Sequence, residues 1–532
     1  MGTFKLDDKE IPFEPGDTII RAAWRQGIEI PHYCWHPGLS APANCRMCLV
    51  EVKSGRPVQM PVLKWSAQAN EYTLESKPKL VPACQQEAAD GMVVGSDSSA
   101  EVTTARASVQ EMLLLNHPVD CPICDQAGEC KLQDYWLDHQ HELKRKHTEP
   151  VHKPKGVRFG PTIVYDAERC IVCTRCIRVC DELAHDHVLD LRDRSNKSEV
   201  VLAPGRKLEH KYTLMTEHVC PVGALTSRDF RFKARVWFLK SQPGVCTGCA
   251  TGCNSHVDFD PRTQQVQRLR PRDNLEVNKY WMCDDGMMSY KQFHEGRVLA
   301  AAIGRGEKRE PIPSSEAVAL VAARLGGVDG SQVAVVLSAQ HSSEDNTALV
   351  RFGRQVLKTS RFHLAALGGW EGDKILRHSD NNPNRAGALR AAQSGGLPGL
   401  SELANAVKAG QVQAIIALGW AALETQSVLE PLGQATTFVS LTSNEGSLVD
   451  VANVVVGVAS VAESSGTFVN GAGKEQSWPA AIVAPPGIKP AWETLVAIAR
   501  AMGSELPFSR LSDLRALMAG RGSAASGAEA RI

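Results

Sequence analysis

All sixteen cysteines of this chain lie between Cys34 and Cys283, and none follows in the rest of its 532 residues. A cysteine used as a small core hydrophobe scatters through every domain. The first part of the chain therefore has a use for thiolates that the remainder lacks. Residues 1–10 carry no apolar leader, which predicts a reducing, cytoplasmic setting where structural disulfides do not persist. Thiols grouped in such a setting predict metal.

The spacings fall into four groups. Cys34, Cys45 and Cys48 form the first, with Cys84 further on. His117, Cys121, Cys124 and Cys130 form the second. Cys170, Cys173, Cys176 and Cys180 form the third, followed by Cys220 in a Cys-Pro-Val-Gly-Ala-Leu stretch. Cys246, Cys249 and Cys253 form the fourth, with Cys283 after them. A cluster iron has a tetrahedral site partly filled by bridging sulfide, and each free corner takes one soft, anionic thiolate. A tight loop wraps three thiolates around one cluster and a remote residue closes the fourth corner. Structural zinc more often pairs two C-x2-C knuckles, and only the fourth group approaches that pattern. A zinc-stabilised scaffold is the non-redox alternative.

The third group reads C-x2-C-x2-C-x3-C with a remote Cys-Pro, the bacterial ferredoxin pattern. There is one such run, so no second ferredoxin cluster exists for Cys180 to serve. Cys220 then closes the set with Cys170, Cys173 and Cys176, and Cys180 is a packed thiol. The second group has three cysteines, and His117 is within loop reach of the same metal. Neutral imidazole in place of thiolate removes one negative charge and makes reduction less costly.

Residues 3–14 read as a strand hairpin, Asp17 as a helix cap and Gly27 as the stop of that helix. Together with the first cysteine loop they suit a small β-grasp ferredoxin domain. Helical spacing of Val102, Ala105, Val109, Met112 and Leu113 predicts a helix over 99–116 that leads to His117. The basic stretch 139–158 reads as a solvated linker. Runs at 333–337, 414–418, 437–441 and 454–458 are β-rich, with helical patterns at 315–325 and 400–409 among them. That alternation predicts an α/β layer with a parallel sheet. Gly466 and Gly471 have phosphate-loop spacing, but Ala472 stands where the lysine belongs, so no nucleotide triphosphate site is expected. No flavin or nicotinamide motif is visible, so electrons must come from another subunit.

Lys and Arg number 59, as do Asp and Glu, which argues against a nucleic-acid binder working by charge. The longest apolar stretch, 451–462, is interrupted by Asn453 and Gly457 and is short of the roughly 20 residues a membrane span needs.

Taken in this order, the four groups resemble the large iron–sulfur subunit family of bacterial NADH–quinone oxidoreductase, respiratory complex I. The resemblance rests on 34–48, 117–130 with its Asp-Cys-Pro-Ile-Cys-Asp segment, 169–178 and 220–225, and covers about residues 1–300. It implies one [2Fe–2S] cluster on Cys34, Cys45, Cys48 and Cys84. It implies three [4Fe–4S] clusters: on His117, Cys121, Cys124 and Cys130; on Cys170, Cys173, Cys176 and Cys220; and, as in some bacterial members, on Cys246, Cys249, Cys253 and Cys283. The C-terminal half resembles more loosely a truncated molybdopterin-oxidoreductase α/β domain, best over 463–476, and with no cysteine after Cys283 no molybdenum is expected. The implied architecture is multidomain, α+β and α/β. It comprises a β-grasp [2Fe–2S] ferredoxin domain (1–97), a [4Fe–4S] segment with one histidine and three cysteines (98–138), a basic linker (139–159), a ferredoxin-like [4Fe–4S] module (160–235), a further [4Fe–4S] domain (236–298) and the α/β scaffold (299–532). The implied function is electron relay, without a substrate site of its own, from a flavin- and NADH-binding subunit through other peripheral-arm iron–sulfur subunits to the quinone side. That places the chain peripherally on the cytoplasmic face of the inner (plasma) membrane, with no direct span and no nucleic-acid partner. The alternative is an electron-transfer subunit of a soluble NAD-linked hydrogenase or formate dehydrogenase.

Overall fold

A computed structural model describes residues 2–55, 57–139, 149–420 and 424–520. The chain forms two compact units, Met1–Trp237 and Phe238–Ile532.

The first unit opens with the expected hairpin, Gly2–Leu6 against Lys9–Phe13. Gly2–Leu6 also pairs in parallel with Val93–Gly95, and the sheet continues through Leu49–Ser54 to Val81–Pro82. Ile19, Ile20, Ala22 and Ala23 of the helix Ile19–Arg25 share one apolar core with Phe4, Leu6, Val50, Val52 and Val94 of the sheet. The cap position of this helix falls on Thr18 rather than Asp17. The Asp17 carboxylate accepts instead from the Glu14 N–H and pairs with Arg25, each at 2.9 Å, which ties the turn before the helix to its last turn.

The next helix runs Ala100–Leu114, with the Ser99 hydroxyl accepting from Val102 N–H. Its buried face is Val102, Arg106, Val109 and Gln110, while Met112 is exposed. The expected apolar stripe is therefore wrong on one side. Arg106 and Gln110 go inward because partners await them: Asp97, Ser96 and the Leu49 carbonyl for the guanidinium, Tyr33 and the Leu132 carbonyl for the amide. Buried polar groups are tolerated when hydrogen-bonded, and apolar periodicity is blind to them. In the basic stretch, residues 140–148 lie outside the described residues. The part that follows is largely exposed, as expected, and is also tied down: Lys155 pairs with Asp120, Asp166 and Glu168 at 2.9–3.2 Å, and Lys153 donates to the Ser198 carbonyl. The unit ends in a three-stranded sheet of Leu225–Ser227, Ile163–Tyr165 and Val157–Arg158, with a hairpin of Leu189–Arg192 and Glu199–Leu202 beside it in sequence.

The second unit begins with an antiparallel sheet of Lys240–Val245, Asn254–Asp260 and Gln265–Pro271. Its body is a seven-stranded sheet in the order Glu310–Ile312, Ala301–Ile303, Val454–Gly457, Thr437–Thr442, Ala414–Leu418, Val333–Ser338, Arg361–Ala365. The last five strands pair in parallel, as the four β-rich runs predict, and the first two form an antiparallel edge. Alternate residues serve opposite faces. Val335, Leu337, Ile416 and Val439 pack with the helices Ser314–Gly326, Ser343–Gln355 and Ala491–Ala501, while Val336, Ile415 and Phe438 pack with Leu400–Lys408 and Gln426–Leu432. Both faces of a parallel sheet must be covered, so its strands read as continuous apolar runs. The 466–471 segment is a strand, Gly466–Val469, paired with Glu475–Trp478. Among the described residues no helix is long and apolar enough to cross a membrane.

Candidate metal centres

The first cysteine loop lies between the helix Ile19–Arg25 and the strand Leu49–Ser54. Around Cys45 the backbone takes left-handed conformations at two non-glycine residues, Ala43 (φ +53°) and Arg46 (φ +60°). Such residues cost about 1–3 kcal/mol each and persist where the surroundings over-determine them. Here they turn the loop so that Cys34 N–H donates to Cys45 Sγ at 3.5 Å. The thiols pair: hydrogen bonding from Cys34 pulls Cys45 down to about 5 and pushes Cys34 up. Contact with Cys84, together with burial, likewise pushes Cys48 up. Cys84 is brought there by the strand Val81–Pro82, which pairs with Leu49 and Val50, and by Ala83 N–H donating to the Cys48 carbonyl at 2.9 Å. The long interval between Cys48 and Cys84 is taken up by a separate hairpin, Gln59–Ser66 with Glu71–Pro78.

His117 follows the helix Ala100–Leu114, Cys121 opens a single 3-10 turn, and Cys130 immediately precedes the helix Lys131–His139. These three residues and Cys124 line one cavity of about 560 Å³, walled mainly by apolar side chains such as Leu114, Leu132 and Trp136. Burial first, and then the Arg169 guanidinium, hold His117 down to about 4, so its imidazole is neutral near pH 7. Its Nδ1 is buried with no hydrogen-bond partner. Burial raises the Cys124 thiol and pushes Cys130 up to about 11. Gly223 closes the cavity, and a Cβ at that position would run into Cys124 Sγ.

Cys170, Cys173, Cys176 and Cys220 line a second cavity, shared with Tyr165, Val200 and Leu225. Val172 (φ +54°) and Thr174 (φ +63°) flank Cys173. Two β-branched residues in the left-handed region are genuine outliers, and they bend the run into a tight loop. Val172 N–H donates to Cys170 Sγ at 3.3 Å. Cys220 follows the helix Leu214–His218, and its loop is held by the strand Leu225–Ser227. Burial pushes Cys170 up to about 11 and raises Cys176 and Cys220 as well. Cys180 is fully buried in the following π-helical turn, Val179–Leu183, with Sγ 3.5 Å from His210 Nε2, and does not line this cavity.

In the second unit Cys246 follows the strand Lys240–Val245, and Cys253 precedes Asn254–Asp260; Cys246 N–H donates to the Cys253 carbonyl at 2.8 Å. Cys283 caps the short helix Asp284–Met288, its Sγ accepting from Gly286 N–H at 3.4 Å, and Gly248 N–H donates to Cys246 Sγ at 3.3 Å. Cys253 feels the other three thiols and, chiefly through burial, is raised. A Cβ on Gly286 would stand 3.0 Å from Cys246 Sγ.

The donor sets fit iron–sulfur clusters in three respects. They consist of thiols with one neutral imidazole; an imidazole nitrogen is buried without a partner; and backbone N–H groups point at sulfur, which favours the thiolate. Among the described residues no group of three or more His, Cys, Asp or Glu stands close enough to hold a single ion. The second group is instead arranged around a cavity of about 560 Å³, whereas the thiols of the third close on a space of only about 10 Å³. Sequence reasoning missed Gly223, Gly286 and the arginines Arg169, Arg175 and Arg178. The signal was there: arginines inside an otherwise apolar cysteine run are unexpected unless negative charge awaits them.

Fold and donor sets together define an iron–sulfur protein with a 2Fe-2S ferredoxin-like domain and 4Fe-4S regions. Models of a 2Fe-2S iron-sulfur cluster binding domain, an NADH-ubiquinone oxidoreductase-G iron-sulfur binding region and an NADH-quinone oxidoreductase subunit 3 ferredoxin-like domain match residues 1–99, 106–145 and 160–226. The G subunit of NADH-quinone oxidoreductase from Streptomyces coelicolor is 32% identical over 404 residues, covering 75% of this chain and 45% of the relative. Its counterpart in Rickettsia felis is 34% identical over 344 residues, covering 65% and 47%. Over 65–75% of its length the chain is thus similar to the G subunits of NADH-quinone oxidoreductase, and it spans about half the length of the curated relatives it matches. A solved NAD+-reducing [NiFe]-hydrogenase is 28% identical over 44% of this chain and 91% of its own, with a TM-score of 0.36.

Proposed function

We propose that this chain is the electron-conducting iron–sulfur subunit of an NADH–quinone oxidoreductase. In this reading Cys34, Cys45, Cys48 and Cys84 hold a [2Fe–2S] cluster in a β-grasp domain. His117, Cys121, Cys124 and Cys130 hold a [4Fe–4S] cluster, as do Cys170, Cys173, Cys176 and Cys220, and Cys246, Cys249, Cys253 and Cys283. The observation that carries the reading is the convergence of His117 and three cysteines on one apolar cavity, with the imidazole neutral and its Nδ1 unpartnered. When bound, the clusters supply one-electron transfer without bond-making. The chain's own residues do the rest. The left-handed residues around Cys45 and Cys173 aim thiols and N–H groups inward, Gly223 and Gly286 let backbone approach sulfur, and mainly apolar side chains wall the cavity of the second group.

The C-terminal α/β region acts as a scaffold related to molybdopterin oxidoreductases, without their metal. Beyond the carboxyl ends of the central strands, where a doubly wound sheet opens its ligand crevice, the rings of His341 and Trp420 meet at a 59° tilt with centroids 5.6 Å apart. The partners are a flavin- and NADH-binding subunit upstream and quinone-side subunits downstream, and the chain sits peripherally on the cytoplasmic face of the membrane.

Metal analysis and redox-titrated spin-resonance spectra of the purified protein test this. Full loading gives about 14 irons per chain; near-stoichiometric zinc overturns the reading, and about 10 irons removes only the fourth site. His117→Cys keeps its cluster at a lower potential, because thiolate adds a negative charge. An unchanged potential with intact assembly takes His117 out of the ligand set.

A further inference from the structure

Two buried arginines cross from the first cysteine loop to the third. Arg178 is 8% exposed. Its Nη2 donates to the Cys34 carbonyl at 2.5 Å and to the Cys173 carbonyl at 3.3 Å, and its Nη1 donates to the Ser40 carbonyl at 2.5 Å. Arg175, 9% exposed, donates through Nη2 to the Trp35 carbonyl and through Nη1 to the Val219 carbonyl at 3.2 Å. One side chain thus touches the backbone of a proposed ligand from each group. The other touches the residue after Cys34 and the residue before Cys220. Apart from a 3.4 Å contact of Arg178 Nε with Thr174 Oγ1, these partners are backbone carbonyls, and Arg175 Nε is buried without any. Among the described residues neither guanidinium is paired with a carboxylate; the nearby Glu182 binds Ser40 instead.

A buried cation without a counter-ion is costly. Carbonyl dipoles offset part of that cost, but two such cations side by side require negative charge nearby. Thiolate-ligated clusters supply it, since four thiolates outweigh the charge of the iron–sulfide core. We infer that Arg175 and Arg178 are the shared counter-ions of the first and third cluster sites, clamping the two ligand loops together and raising the potential of both. The inference rests on the cluster assignment proposed above. The physical sense is simple: an electron added to either site increases its negative charge, and a fixed cation in a low-dielectric interior stabilises the reduced form. A cation held by both loops acts on both sites at once, whereas a surface cation is screened.

The test is a redox titration of the cluster-loaded protein by spin resonance, comparing wild type with Arg178→Gln, Arg175→Gln and Arg178→Lys. Each glutamine variant should lower the potentials of the first and third sites together, leave that of the fourth site unchanged, and Arg178→Lys should restore most of the shift. Potentials that stay put, or a shift at one of the two sites alone, overturn the inference. If neither glutamine variant assembles, the lysine variant decides. Assembly with near wild-type potentials sustains the shared counter-ion, and failure to assemble reduces both arginines to a structural tie. Absence of iron from both sites in wild type defeats the cluster assignment itself, a different result from wild-type clusters whose potentials ignore the arginines.

Discussion

The two units solve the problem of order in opposite ways. In the C-terminal unit the strands Val333–Ser338, Ala414–Leu418 and Thr437–Thr442 are buried along their whole length, and two apolar layers cover them. Its stability comes from area removed from water, about 1.5–3 kcal/mol for each large side chain before entropy is counted. In the N-terminal unit the cysteine loops take up much of the chain, and the arginines Arg106, Arg169, Arg175 and Arg178 are buried among them. The first arrangement holds itself together. The second spends conformational strain at Ala43, Arg46, Val172 and Thr174 and buries two cations, Arg175 and Arg178, that pair with no carboxylate among the described residues. A fold that relies on a bound group is organised around it, and one that relies on burial is not.

The sharpest way to break that contrast is to remove the iron. Chelation of the reduced protein should open the cysteine loops of residues 2–237 to protease while the seven-stranded sheet region survives as a resistant fragment, because metal-binding free energy is folding free energy where sites are not preformed. Fragments identified by mass spectrometry decide it, and equal digestion of both regions contradicts the contrast. Next in size is Leu418→Ala, which leaves a cavity in the parallel sheet and should cost about 2–5 kcal/mol. Urea unfolding should show that loss in the C-terminal unit while the spin-resonance signals of the first three sites keep their line shapes.

A smaller effect distinguishes a carboxylate-held charge from a cluster-held one. Burial opposes ionisation of Asp258, but Arg270 and Arg268 overcome it and hold the carboxyl at about 2. Its folded value lies below its unfolded one, so its contribution is complete above about pH 4 and is lost as pH falls towards 2. The loss is of the order of 2 kcal/mol. Unfolding midpoints at pH 5 and pH 2.5 should converge between wild type and Asp258→Asn as the pH drops; a constant difference removes the carboxylate from the balance. The smallest effect belongs to Cys180→Ser. Its thiol faces His210 rather than the cavity of the third group, so all cluster signals should survive. Loss of one [4Fe–4S] signal would reassign Cys180 as a ligand in place of Cys220.

Reading the chain without its structure finds different things in the two units. The parallel sheet was legible because continuous β-branched runs have few other uses, and its four predicted strands are there. The strands Arg361–Ala365, Ala301–Ile303 and Glu310–Ile312 escaped notice: Ala301–Ile303 is only three residues long, and the two strands at the sheet edges carry Arg361 and His363 or Pro311, which dilute the pattern. In the N-terminal unit the candidate ligands were legible from spacing, but the face of the helix Ala100–Leu114 was not, because Arg106 and Gln110 are inward for the sake of specific partners.

What the sequence by itself determined is therefore the donor chemistry and its grouping, since thiolates at such intervals can reach a common centre within one loop, and the α/β character of the tail, since period and branching carry it. Tertiary structure alone decided what lies far apart in the chain. It returned Cys84 to Cys48 past an inserted hairpin, set Gly223 against Cys124, left Cys180 outside the cavity of the third group, and spanned the first and third loops with Arg175 and Arg178. The reason is physical. Local spacing limits which residues can meet through a short loop, but long-range meetings depend on strand pairing and on where buried charge finds compensation, and neither is a property of neighbouring residues.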